Sequence, residues 1–344
     1  MKTYIKPKLI ILFLFSTLTI LAASPDDAVP ASTVPAHTGS AVSYTGKADL
    51  PVREIPLPAS ENIEEFIYNP AGSSLCAITH SRHTYRLLVL EPDGQWTASS
   101  RWTTSSGEEL LHFVYNGDGA LYACRRTIRK SSGQALVRLR KNGRISKITL
   151  RDLNQVPKTF FDTRMKKKGQ KVSHDITDIQ FSGTALAVTY GNYAVRFYNI
   201  AEGHALGSAA LTGSARQNIF YDHHYLALDK KSSSASPRLK NYDIRTGELE
   251  QTIPLPALPQ GEIRLSHYRE RVWLLCGNTL CAGTFPEMSL SQEQVLPSSV
   301  LPAGSRIHSI NAARDDVLYL SYRDSTMTLH LLTFSFRLDS LPSL

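Results

Sequence analysis

Cysteine is scarce in this sequence, 4 residues among 344, too few for a scaffold held together by disulfides. Cys76, Cys124 and Cys276 sit inside solid apolar runs, where a free thiol behaves as a small hydrophobe. Cys276 and Cys281 flank Gly277-Asn278-Thr279-Leu280. A four-residue loop would set the two thiols opposite each other, whereas a two-residue Gly277-Asn278 turn would pair Cys276 with Thr279 and prevent a bridge. Zinc is not supported, because the spacing lacks a second pair or a nearby histidine cluster. Linear signatures of chemistry are missing as well. There is no GxSxG, phosphate-binding loop, dinucleotide fingerprint or HExxH, so nothing implies a cofactor or a metal. Long hydrophobic runs are also absent. Leu9 to Ala23 is apolar over only 15 residues, short of the roughly 20 a spanning helix needs.

That short run has another use. Lys2, Lys6 and Lys8 precede it and Ala22-Ala23 end it, so residues 1–23 read as a secretory signal peptide. An uncleaved segment would instead anchor the chain at its N-terminus. No cysteine follows the run, which excludes a lipoprotein anchor. The chain is therefore expected outside the cytoplasm, periplasmic or extracellular. Residues 24–49, rich in Pro, Ser, Thr and Ala, read as a flexible linker. The whole chain carries 38 basic and 30 acidic residues. Removing the signal takes three lysines and leaves 35 against 30, a charge of +5 that does not by itself imply nucleic acid.

Residues 176–256 contain one unit twice: an apolar segment ending in an aromatic, a polar break, a solid apolar run, a loop, an alternating strand, a Gly turn and a last strand. Four antiparallel strands in a meander are the blade of a β-propeller. The solid run recurs as Ser74–Ile78, Ala120–Cys124, Ala185–Val188, Tyr225–Leu228, Val272–Cys276 and Val317–Leu320, its second residues 46, 65, 40, 47 and 45 positions apart. These runs are apolar on both faces, as strands covered on both sides by neighbouring blades must be. Tyr68, Tyr115, Phe181, Tyr221 and Tyr268 precede five of them, and Ala312 stands in the sixth. Six units result, an all-β six-bladed propeller over residues 50–338, with 339–344 as a C-terminal tail. The sixth unit has only three strands of its own. Val52-Arg53-Glu54-Ile55-Pro56-Leu57-Pro58 matches the outer strand Glu250-Gln251-Thr252-Ile253-Pro254-Leu255-Pro256, so an N-terminal strand is expected to close the ring.

The hairpin Tyr242-Asp243-Ile244-Arg245-Thr246-Gly247-Glu248 resembles those of six-bladed propellers of the broad TolB-like, YVTN and WD-type group. The Trp-Asp dipeptide of true WD repeats is absent. The resemblance covers the six units and implies a binding scaffold more often than an enzyme, with function on the face that carries the blade-joining loops.

With strands running from the axis outward, that face also carries the loops between second and third strands, and these are basic. They include Arg82 and His83, Arg125, Arg126, Arg129 and Lys130, Lys230 and Lys231, and Arg323, whereas turns of the other face (EPDG, NGDG, AEG, RDD) are more acidic. The 65-residue gap holds an insertion, residues 151–173, in which Arg164, Lys166, Lys167, Lys168 and Lys171 follow Phe160 and Phe161. Cations beside aromatics suit an anionic glycan, a lipid surface or an acidic protein patch, with nucleic acid disfavoured for an exported chain. Solubility alone would also account for them. His174 with Asp175 and Asp178 starts an inner strand, and Asp222-His223-His224 forms a turn on the opposite face. The leading expectation is a non-catalytic binding or scaffold protein. The alternative is a hydrolase, lyase or lactonase with its site at the channel mouth.

Overall fold

Short runs of apolar residues with no polar alternation fit strands covered on both sides, and that is where they lie. A computed structural model describes residues 52–58, 62–128, 133–155, 175–191, 194–211, 218–229, 237–255, 262–284, 291–296, 298–314 and 317–335. They form 24 strands in six antiparallel four-stranded sheets. Each sheet is one blade, with its first strand innermost.

After β1 (Val52–Glu54), blade 1 comprises β2 (Ile63–Asn69), β3 (Ser74–Ser81), β4 (Thr84–Leu90) and β5 (Trp96–Thr103). Blade 2 comprises β6 (Glu108–Tyr115), β7 (Leu121–Thr127), β8 (Gln134–Leu139) and β9 (Ile145–Lys147). Blade 3 follows with β10 (Ile176–Ser182), β11 (Ala185–Tyr190), β12 (Ala194–Asn199) and β13 (His204–Ala210). In blade 4 the strands are β14 (Asn218–Tyr221), β15 (His224–Asp229), β16 (Arg238–Asp243) and β17 (Leu249–Pro254). Blade 5 has β18 (Ile263–Tyr268), β19 (Arg271–Cys276), β20 (Thr279–Thr284) and β21 (Ser291–Val295). Blade 6 has β22 (Arg306–Arg314), β23 (Val317–Arg323) and β24 (Leu329–Ser335). Its fourth position is taken by β1, with Val52 opposite Phe334 and Glu54 opposite Leu332. The first strands touch in succession from β2 to β22, and β22 lies against β2. The ring is closed.

Six apolar clusters fill the six joints. Along β3 the side chains alternate: Leu75 and Ala77 enter the cluster shared with blade 6, while Cys76 and Ile78 enter the one shared with blade 2. That two-sided burial is why the runs show no polar positions. In β19 every residue is buried. The Gly277-Asn278 turn is the two-residue one. Cys276 pairs with Thr279, Leu274 with Cys281, and all four cysteines are free and buried.

The sixth inner strand lacks an aromatic for a packing reason. Ala312 is buried in a cluster against which Tyr268 packs. Tyr268 of blade 5 and Tyr68 of blade 1, the two neighbours of blade 6, meet edge to face at 5.9 Å and 80°. A sixth ring at the position of Ala312 would compete for that space.

Candidate functional site

Two regions could carry function: the channel, lined by the inner strands, and the loop face, which holds the blade-joining segments and the loops between second and third strands.

The channel's polar side chains join blades to one another. Strand β6 is bulged between Leu111 and Val114, with His112 at φ 56°. The bulge frees the Phe113 amide, which donates to Glu65 Oε2 of blade 1 at 3.1 Å. His112 Nε2 donates to the Ile176 carbonyl of blade 3 at 3.1 Å. Gln180 Nε2 donates to the Asn218 carbonyl of blade 4 at 3.0 Å, and to Asp178 Oδ2 at 2.7 Å. Tyr221 of blade 4 stacks edge-on with His267 of blade 5 at 5.5 Å. Burial pushes His267 below its ordinary pKa. Arg264 donates to the Ile307 carbonyl, and Ser266 Oγ accepts from the Ala312 amide, which ties blade 5 to blade 6. Phe66 of blade 1 meets His308 of blade 6 at 6.4 Å. Every joint thus has a side-chain bridge at the channel wall. Sequence reasoning missed these bridges; those from β2, β6 and β10 come from strands whose bulges reset which residues face the axis.

Of the residues suspected of acid–base or metal chemistry, only some are described. Asp178 is engaged by Gln180, and His174 lies outside the described residues. His223 and Asp222 sit 3.6 Å apart on the other face, and His224 contacts Glu250 at 3.1 Å. Among the described residues no three of His, Cys, Asp and Glu could hold a metal ion. A groove of about 400 Å³ opens on the turn face between blade 1 and β1, bordered by Arg53, Ser73, Glu91 and Tyr319. It contains none of the expected site residues.

On the loop face, Arg82, Arg125 and Arg126 are described. Arg129, Lys130, Arg164, Lys166, Lys167, Lys168, Lys171, Lys230 and Lys231 lie outside the described residues, as do Phe160 and Phe161. Arg82 stands exposed at the tip of the β3–β4 turn with φ 56°, its carbonyl accepting from His80 Nε2 at 2.6 Å. Arg126 is bonded to Glu109, its directly opposed partner in the sheet, and Arg125 lies 3.6 Å from Glu108. These two are charge-compensated by their own blade. The start of the insertion is anchored: Leu153 is buried, its carbonyl accepts from Tyr190 at 2.7 Å, and Arg196 donates to the Asp152 carbonyl at 2.6 Å.

No protein-family model matches this chain, and no curated protein matches it in sequence. The geometry alone therefore carries the functional reading.

Further pairs engage three other acidic groups of the loop face. Glu64 contacts His80 at 3.2 Å, Glu262 contacts Arg264 at 2.6 Å, and Asp324 is bound within its own turn and by His330 at 3.2 Å. Arg82, Arg238 and Arg306 are exposed and form no ion pair among the described residues. The opposite face is less acidic than its turns suggest, since the β8–β9 turn presents Arg140, Lys141 and Arg144, all exposed.

Proposed function

We propose that this propeller is an exported binding or scaffold protein, non-catalytic, whose loop face meets an anionic partner. One observation carries the reading. Most carboxylates on that face are paired within their own blades, whereas Arg82, Arg238 and Arg306 are not. The field left over is positive and points outward. The lysine-rich sequence of residues 164–171 would add to it. The bridging of the channel's polar groups also favours binding over chemistry at the channel mouth. Kinship with the TolB-like, YVTN and WD-type propellers, and a periplasmic or extracellular location, belong to the same proposal.

Binding to an acidic polysaccharide and to anionic vesicles at low and high salt tests it. The expected outcome is binding that weakens steeply as salt rises, and that falls when Lys166, Lys167 and Lys168 are changed together to Glu. Binding that ignores salt, or none to either probe, contradicts it.

A further inference from the structure

Four large apolar side chains stand well clear of the described surface: Ile128 (64% exposed), Met327 (55%), Val295 (52%) and Leu249 (48%). Lone exposed hydrophobics are ordinary, but three of these share the loop face. Ile128 opens the β7–β8 loop, its amide held by the Gly107 carbonyl at 2.8 Å. Val295 ends β21 opposite Thr279, next to the Gly277-Asn278 turn. Met327 lies in the β23–β24 turn. Only Leu249, at the start of β17, is on the turn face.

Met327 is held out deliberately. Its φ is 67°, a conformation that turns usually give to Gly or Asn. The turn enforcing it is built on Asp324, whose Oδ1 accepts from the amides of Thr326 and Thr328, both at 2.9 Å, and from Thr326 Oγ1 at 2.7 Å. Arg323 Nη1 donates to the Met327 carbonyl at 3.1 Å. A guanidinium is therefore bonded to the backbone of the residue whose side chain stands exposed at the tip.

We propose that the loop face seats on an anionic lipid bilayer, with Ile128, Met327 and Val295 entering the headgroup region and Arg82, Arg306 and Arg323 over lipid phosphates. The inference rests on the anionic-partner reading and narrows it to one source of anions. Apolar tips on three separate blades suit an extended surface that is anionic outside and apolar beneath. A polyanionic glycan offers nothing for Ile and Met to enter.

The experiment is flotation of the full chain with phosphatidylglycerol–phosphatidylcholine vesicles, run beside binding to an acidic polysaccharide. Wild type should float with anionic vesicles, less at high salt, and not with phosphatidylcholine alone. Ile128→Asp and Met327→Asp should each weaken vesicle binding about tenfold, from lost apolar insertion, and leave polysaccharide binding unchanged. Leu249→Asp, and Arg140→Glu with Arg144→Glu on the other face, should change neither. Ile128→Ser and Met327→Ser, with unaltered melting curves, guard against misfolding as the cause. Polysaccharide binding without vesicle binding overturns the bilayer inference and leaves the anionic-partner reading standing. Binding to neither overturns both. Equal losses from Leu249→Asp and Met327→Asp also overturn it.

Discussion

Ala312 shows how one residue is chosen by its neighbours. Five inner strands carry an aromatic at the corresponding place, and the sixth carries a methyl group, in a cluster against which Tyr268 packs while it meets Tyr68 edge to face. Ala312→Tyr is expected to destabilise the protein by about 1–3 kcal/mol through overpacking, read as a lower urea midpoint at unchanged slope. An unchanged midpoint would mean that the two tyrosines do not occupy that space. The cysteines give a second residue-scale expectation. All four are free and buried, and burial pushes the Cys124 thiol up to about 12. Ellman's reagent should find no reactive thiol in the native protein, and four once it is unfolded without reductant. Fewer than four would mean that a bridge had formed.

At the scale of the element, the β16–β17 turn shows what the repeats require of glycine. Gly247 has φ 75°, and a Cβ there would lie 1.9 Å from the Ser208 carbonyl oxygen of β13. The turn of blade 4 is therefore pressed flush onto the outer strand of blade 3. Gly247→Ala combines an unfavourable φ with a backbone clash, and is expected to cost about 2–4 kcal/mol. Gly183→Ala makes a fair comparison: φ is also positive, at 57°, but nothing lies within 4 Å, so only the conformational cost of about 1 kcal/mol applies. Equal melting temperatures for the two variants would contradict this packing. Such elements were legible in the sequence, because two-sided burial makes β3 and β19 continuously apolar and the Gly turns punctuate them. The Gly277-Asn278 turn was legible for the same reason. The bridges from Glu65, His112 and Gln180 were not. A bulge shifts the facing of every later residue in its strand, and no local pattern announces it. Ile128, Val295 and Met327 were hidden too, since a single apolar residue in a loop looks the same whether it packs or protrudes.

For the molecule as a whole, the contact between β1 and β24 joins residues from opposite ends of the described chain. His330 Nδ1 lies 2.9 Å from Glu54 Oε1 and Nε2 lies 3.2 Å from Asp324 Oδ2, with the ring stacked on Tyr322. A neutral imidazole has one N–H and can serve only one of the two carboxylates. Partial burial acts to lower the His330 pKa, but the two carboxylates outweigh it and raise it above its ordinary value. Asp324 is held down to about 2, chiefly by the Thr326 hydroxyl, and stays charged throughout. A raised histidine pKa stabilises the folded state fully below the unfolded value near 6.5, and that contribution disappears as pH rises through the folded value. Wild type should therefore lose more stability than His330→Gln between pH 5.5 and 8.5 in urea titrations. Parallel losses would show that the histidine does not clasp β1.

Which face works is the most consequential statement about the whole ring, and hydrogen exchange of the full chain with and without anionic vesicles tests it most directly. Slower exchange is expected around residues 82–84, 125–128 and 324–328, with the turns at 91–95 and 140–144 unchanged. Protection at 140–144 instead, or nowhere, would contradict it.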